Sequence, residues 1–399
     1  MLKRALVLAS FWTSFLSGLA MGQASNCVSS NPNNLICLIP RATQTPTGAF
    51  NFFNAYFGTD LSRLPLATPA SGFIFTFDKK LGVYAASNES FGPIMTERAE
   101  TIGRHKVFLA FTYERFNFQT IDGHDLHSLP LELTQGKGAS AIFNVTSNRV
   151  DAKVDQFAAY LTFGLLDRVD VSLAVPFQKI SLGVSSNATQ YNASGTAVGS
   201  FQNFLPGIVT GIGDVVLAAK GIAYRGEKVK LAIGSELRLP TGDKYNFLGT
   251  GTTGFKPYVA LSRSGRVSPH ADLGYQWNGK TVLFRNKAGV DQRLPTDLYL
   301  SGGADFGVTK RLTLIGDYLF QRFFAGPRVL SGSFTIPSTT QRFQVLTNKK
   351  GPYSENSLSF GAKFNPAGRF LVALNALIQL DDKGLRSRVV PFGEISYSF

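Results

Sequence analysis

Val169-Asp170-Val171-Ser172-Leu173-Ala174-Val175-Pro176-Phe177-Gln178 alternates apolar and polar side chains with period two. Successive side chains of an extended strand point to opposite faces. Val169, Val171, Leu173, Val175 and Phe177 therefore share one oily face, and Asp170, Ser172, Ala174 and Gln178 the other. A soluble sandwich could use such a strand, and so could a barrel with lipid outside and water inside. The same rhythm of about ten residues recurs from Arg104 to the terminal Tyr397-Ser398-Phe399.

About twelve long strands are expected from it, with fourteen as the alternative count. They lie near His105–Phe118, Ala152–Leu165, Val169–Leu182, Asp214–Tyr224, Lys228–Leu239 and Phe255–Leu261. The rest lie near Val267–Trp277, Asp297–Phe306, Leu312–Phe323, Ser357–Phe364, Phe370–Leu380 and Arg388–Phe399. Short turns such as Leu166-Asp167-Arg168 and Arg225-Gly226-Glu227 alternate with long connections: Gln119–Asp151, Gly183–Gly213, Pro240–Gly254, Asn278–Thr296 and Ala325–Asn356. Only the brief Asp381–Ser387 link breaks that alternation. Short turns on one rim and long loops on the other, with an even strand number, describe an all-β, antiparallel, up-and-down transmembrane barrel. Aromatics fall at strand ends: Phe163, Phe306, Phe364, Phe370, Tyr397 and Phe399 toward the short turns, and Phe177, Tyr275, Trp277, Tyr318 and Phe320 toward the loops. Two aromatic girdles are expected of a membrane barrel.

Met1-Leu2-Lys3-Arg4, an apolar run from Ala5 to Ala20 and the small residues near Gly22-Gln23-Ala24 read as a signal peptide over residues 1–24. No lipobox precedes Cys27. Beyond the signal no apolar stretch is long enough for a spanning helix, which leaves a closed barrel as the way to satisfy backbone groups in lipid. The mean hydropathy of +0.04 fits alternating strands. Cys27 and Cys37, the only cysteines, could close a small disulfide loop in an exported chain. The net charge of +14 suits anchoring at anionic lipid head groups, or a lumen that favours anions. A nucleic-acid partner is not expected.

The faces opposite the apolar ones should line the lumen. They carry Asp214, Lys220, Glu236, Arg238, Lys256 and His270, and further on Asp272, Asp305, Asp317, Lys363, Asn375, Gln379 and Glu394. Hairpins centred on Gly226 and Ser264 would set Asp214 across from Arg238, Lys256 across from Asp272 and Tyr258 across from His270. Such charges either orient a passing solute or hold the interior polar and packed. No catalytic, metal or cofactor constellation stands out. His124-Asp125-Leu126-His127 lacks a fixed third ligand, and His270 lacks an evident orienting partner for a serine hydrolase. Residues 25–103 leave the strand rhythm. A short hairpin over Phe73–Phe77 and Leu81–Tyr84 and several prolines suggest a plug inside the barrel or a periplasmic segment with extra strands, ahead of a barrel over residues 104–399.

Gly211-Ile212-Gly213-Asp214 opens one strand, and Glu236-Leu237-Arg238-Leu239-Pro240-Thr241-Gly242-Asp243 closes the next. With Phe163–Val171 and Val175-Pro176-Phe177 before them, this part of the chain resembles the outer-membrane transporter family named for the MetA pathway of phenol degradation. The resemblance spans Arg104 to Phe399. It implies passive uptake of small, often aromatic or hydrophobic, compounds, and carries no catalytic residues over. The expectation is a monomeric, non-enzymatic channel in the outer membrane of a Gram-negative-type cell. Its partners would be outer-membrane lipids and lipopolysaccharide, a small-molecule solute, and the barrel assembly machinery reading the terminal Phe399. A closed structural or adhesive barrel and a lipid-acting barrel enzyme are the alternatives.

Overall fold

The structure, a computed structural model, describes residues 31–44, 51–68, 74–78, 83–87, 90–286, 289–337 and 339–399. The expected signal peptide and Cys27 lie outside the described residues. Cys37 is buried.

Twelve antiparallel strands close a ring. They are β1 (Val107–Phe118), β2 (Ile142–Leu166), β3 (Val169–Tyr191), β4 (Val215–Arg225), β5 (Val229–Leu239) and β6 (Gly254–Arg263). Then follow β7 (Val267–Asn278), β8 (Asp297–Thr309), β9 (Leu312–Thr335), β10 (Arg342–Ala367), β11 (Phe370–Gln379) and β12 (Val389–Ser398). Each pairs with its neighbour in sequence, and β12 pairs back onto β1, for example Tyr397 with Leu109. Strands Leu129–Gln135 and Ala197–Ile212 add to the loop ends of β2 and β3 without entering the ring, so twelve strands close the barrel within a fourteen-stranded sheet. Closure leaves the ring no unpaired edge.

The outward face is oily. Phe111, Phe157, Phe177, Val259, Leu300 and Phe360 are exposed, and Leu374 is 70 % exposed. Their strand neighbours Thr112, Ala158, Ala260, Ser301 and Ser359 are buried. A surface so apolar and so regular is the kind a membrane barrel presents to hydrocarbon. Phe163, Phe306, Phe364, Tyr397 and Phe399 are exposed at the turn rim, and Phe177, Trp277 and Tyr318 at the loop side.

Strands β2, β3, β9 and β10 run for 25, 23, 24 and 26 residues. That is well beyond the ~9–11 that cross a bilayer. Much of what the sequence assigns to the loops Gln119–Asp151, Gly183–Gly213 and Ala325–Asn356 is therefore strand. There both faces are polar, with Asn144, Thr146 and Asn148 of β2 on one and Ser147 and Arg149 on the other. The hydrophobic alternation fades while the backbone ladder continues. Two hairpins formed this way meet above the barrel. Phe143 packs on Phe334 with ring centroids 5.4 Å apart, and Tyr191 on Phe343 at 5.2 Å.

Two hairpin registers differ from those expected. Val216 faces Arg238, so Asp214 lies just beyond the ladder. Ala260 faces Asp272, Ser262 faces His270 and Tyr258 faces Gly274. The β6–β7 turn has its tip at Arg266 rather than Ser264, where Ser268 Oγ donates to Gly265 O at 2.7 Å. That shift moves every pair in the hairpin.

Candidate functional site: a chamber in the barrel lumen

The lumen is occupied by the chain's own N-terminal part. Near the turn rim, residues 90–103 cross it without regular structure, and barrel side chains satisfy their backbone. Phe91 N donates to Thr313 Oγ1 at 3.3 Å, Glu97 N to Asp272 Oδ1 at 3.1 Å, Ala99 N to Ser262 Oγ at 3.1 Å and Ile102 N to Asp170 Oδ2 at 2.9 Å. Lys363, fully buried, donates to Pro93 O at 2.7 Å. Backbone that forms no ladder must find such partners. Two ion pairs pin the segment: Lys220 to Glu97 at 2.9 Å and Lys230 to Glu100 at 3.2 Å. Burial alone would raise the Glu100 carboxyl. Lys230, Arg98 and the hydroxyls of Ser262 and Ser264 outweigh it and hold the group at about 2.

Nearer the loop rim, α1 (Leu38–Ala42) packs on β3 and on Ala197–Ile212, and α2 (Asn51–Leu61) on Lys280–Arg285. Asp122, in a loop, gathers this layer. It accepts from Tyr56 of α2, from Val329 N at 2.7 Å and from Gly384 N at 3.1 Å, and pairs with Arg328 at 2.9 Å. Asp60 accepts from Leu385 N at 2.8 Å, and its burial pushes it up to about 6. Just past α2, Arg63 reaches the barrel wall, pairing with Asp297 at 2.8 Å and lying over the Phe323 ring at 5.1 Å.

Between the two layers is a chamber of about 210 Å³. Its walls differ. Strands β5 to β8 present Glu236, Arg238, Lys256, Asp272, Gln276 and Asp297. Strands β1, β9 and β11 present Phe116, Phe118, Leu319, Phe323 and Leu377, and the N-terminal segment adds Leu64 and Leu66. One side is charged and the other mostly apolar, apart from Gln321, Gln379 and the ion-paired Glu355 and Arg386.

Of the lumen residues expected from sequence, Lys220, His270, Asp272, Asp305, Asp317, Lys363, Asn375 and Glu394 are buried inside. Glu236, Arg238 and Lys256 are half-buried along the chamber. Lys256 pairs with Glu236 at 2.7 Å rather than with Asp272. Asp272 accepts from Ser301 and from the Glu97 amide. Both His270 nitrogens are engaged, Nδ1 with Ser268 O at 3.1 Å and Nε2 with Asp317 at 2.7 Å. No ring nitrogen is left there to take a serine proton.

Asp214 has a different role from the one expected. It accepts from Gly242 N at 3.1 Å, Thr250 N at 2.7 Å and Thr250 Oγ1 at 2.5 Å. Thr241 Oγ1 donates to Gly213 O at 2.8 Å and accepts from Val215 N at 2.9 Å. The Gly-x-Gly-Asp and Leu-Pro-Thr-Gly-Asp motifs thus tie the loop after β5 to the start of β4. A Cβ on Gly249 would stand 2.2 Å from Asp214 Oδ1, so the clasp requires glycine there.

Sequence reasoning missed Arg63, Glu97, Glu100 and Asp297, and placed Asp170 on a polar face without counting it among the lumen residues. The Glu97-Arg98-Ala99-Glu100 run in an otherwise uncharged stretch was the available signal. Nothing local says that its charges face the barrel wall.

Among solved structures, the chain is similar to an outer membrane channel from Pseudomonas putida F1. Identity is 12 % with a TM-score of 0.48, over 75 % of this chain and 98 % of that one. It is also similar to the NanC porin, at 10 % identity and a TM-score of 0.37, over 73 % of this chain and 98 % of that one. A Pseudomonas aeruginosa FadL homologue matches at 11 % and 0.29, over 73 % of this chain and 88 % of that one. No curated protein matches the sequence. The family profile described as "Putative MetA-pathway of phenol degradation" matches residues 134–384, well over half of the chain and most of the barrel with both motifs of the clasp. The chain therefore belongs to the MetA-pathway phenol-degradation family.

Proposed function

We propose that the protein is an outer-membrane channel that passes small solutes by diffusion, aromatic and hydrophobic ones among them. The N-terminal segment restricts its bore. The single observation carrying this reading is the two-walled chamber between the lumenal layers, charged on β5 to β8 and mostly apolar on β1, β9 and β11, where Glu355 and Arg386 neutralise each other. A purely structural barrel has no use for a cavity of mixed character, whereas a solute with a polar end and an apolar body fits one. The surrounding lipid is the second partner. Arg168, Arg225, Lys228, Arg266, Arg311 and Arg369 stand exposed at the turn rim, Arg266 over the Phe306 ring at 5.5 Å. That is the level at which anionic head groups meet an aromatic girdle.

Liposome swelling with a panel of phenols, fatty acids and sugars tests the reading, using the full chain. Faster entry of the one-ring compounds supports it. A barrel silent to every solute, even with the Lys220–Glu97 pair removed, favours a closed structural or adhesive barrel.

A further inference from the structure

We propose that the chamber is a binding site for a small aromatic monocarboxylate, with Arg238 as the group that holds the acid. The inference rests on the channel reading and goes further, naming the class of solute and the residue that selects it.

The cations around the chamber are not equivalent. Arg63 has Asp297 at 2.8 Å, Lys256 has Glu236 at 2.7 Å, and Arg386 has Glu355 and Asp381 at 2.9 Å each. Arg238 has no ion pair among the described residues, and its Nη1 is buried without a hydrogen-bond partner. A buried guanidinium N–H without an acceptor is costly, and a carboxylate is the acceptor that fits its planar fork best.

The carboxylates of the chamber are already engaged. Asp297, Glu236 and Glu355 are paired with cations, Asp272 takes a hydroxyl and an amide, and Asp60 takes the Leu385 amide. An entering ammonium would have to share a carboxylate with a donor already there, or turn to Glu355 Oε1, whose charge Arg386 already balances. An entering carboxylate breaks none.

The rest of the ligand follows from strand order. In a ring of twelve, β11 lies six strands from β5, so Leu377 is across the bore from Arg238. Phe116 and Phe118 on β1 flank that apolar side. An acid held at β5 therefore directs its body onto an apolar and aromatic wall. The volume of about 210 Å³ is below the ~300–1,000 Å³ of pockets for drug-sized molecules, which favours a single ring over a long acyl chain.

Equilibrium binding by calorimetry on the full-length chain in detergent tests this, with benzoate, benzyl alcohol and benzylamine as probes. Benzoate should bind at least about ten-fold more tightly than either of the others, a gap of ~1.4 kcal/mol. Arg238→Gln should erase the gap while leaving benzyl alcohol unchanged, and Arg238→Lys should restore part of it. Heat-modifiable gel mobility checks that each variant is still a closed barrel, and the wild-type comparison stands whether or not the variants fold. Equal affinity for benzoate and benzyl alcohol overturns the proposal, as does a folded Arg238→Gln barrel that still prefers benzoate. Proteoliposome flux separates the two readings. Entry of all three probes at equal rates leaves the channel standing and removes the acid site. Arg238-dependent benzoate binding without any flux leaves the site standing and removes the channel.

Discussion

Lys256 and Glu236 face one another across β5 and β6 and form an ion pair of 2.7 Å beside the chamber. Both side chains are partly open to the bore, at 21 % and 25 % exposure. Screening should limit their coupling to about 0.5–1 kcal/mol. A double-mutant cycle of Lys256→Gln and Glu236→Gln in urea unfolding from detergent micelles measures it. A coupling near zero would mean that the pair shapes the chamber's charge and does not hold the wall together.

Glu97 is the counter-charge of a buried lysine. Replacing it by Gln leaves the Lys220 ammonium with the Arg98 carbonyl and, across the ladder, the Asp170 carboxylate, so the cost should reach at most the ~3–5 kcal/mol of a fully broken buried pair. Lys220 is fixed in β4, so the segment over residues 90–103 should give way. Amide hydrogen exchange there should speed up at least ten-fold, and single-channel conductance should rise. Unchanged exchange would mean that the other contacts of residues 90–103 suffice to seat it.

Glu100 and Asp60, one in each lumenal layer, should contribute to stability with opposite pH dependence. Glu100 sits at about 2, below its ordinary 4.5, so its stabilisation is complete above about 4.5 and is lost as pH falls toward 2. Asp60 sits at about 6, above its ordinary 3.8, so its contribution is present below 3.8 and is lost as pH rises through 6. Between pH 7 and 5, exchange in α2 should slow. Below pH 4.5, residues 90–103 should loosen. Exchange rates corrected for their intrinsic pH dependence read both changes.

Leu374 lies mid-strand on β11 and is the most exposed of the large outward apolar side chains. If hydrocarbon covers it, Leu374→Arg should destabilise the barrel in phospholipid vesicles by about 2–4 kcal/mol. The same substitution should be nearly neutral on a surface facing water. Urea titrations of refolded wild type and variant decide between them.

The aromatic contacts Phe143–Phe334 and Tyr191–Phe343 join hairpins from opposite sides of the loop rim. Each contact should contribute about 0.5–1.5 kcal/mol beyond its buried area. Phe334→Ala should therefore widen the distance distribution between spin labels at Ser140 and Gln341 without changing the stability of the twelve-stranded ring. An unchanged distribution would show that the remaining ladder holds the hairpins together.

The strand segments, their outward faces and the even ring were legible in the sequence. A period-two pattern is local, and each lipid-facing residue obeys it independently of the others. Val171, Leu173 and Phe177 needed no knowledge of the neighbouring strands to be placed on one oily face. The polar tops of β2, β3, β9 and β10 were not legible, because a ladder in water needs no hydrophobic alternation. Register was not legible either, since a turn tip at Arg266 or Ser264 differs by a few dihedral angles that composition does not set.

The partners in the lumen were decided by tertiary structure alone. That Glu97 meets Lys220, that Asp214 clasps Gly242 and Thr250, and that Arg238 is left with a free N–H are meetings between segments far apart in the chain. Sequence determined a greasy cylinder with a polar bore, because burial and exposure act on each residue where it stands. Which charges are neutralised within that bore, and which guanidinium keeps an N–H without a partner among the described residues, depended on how the N-terminal segment threads it.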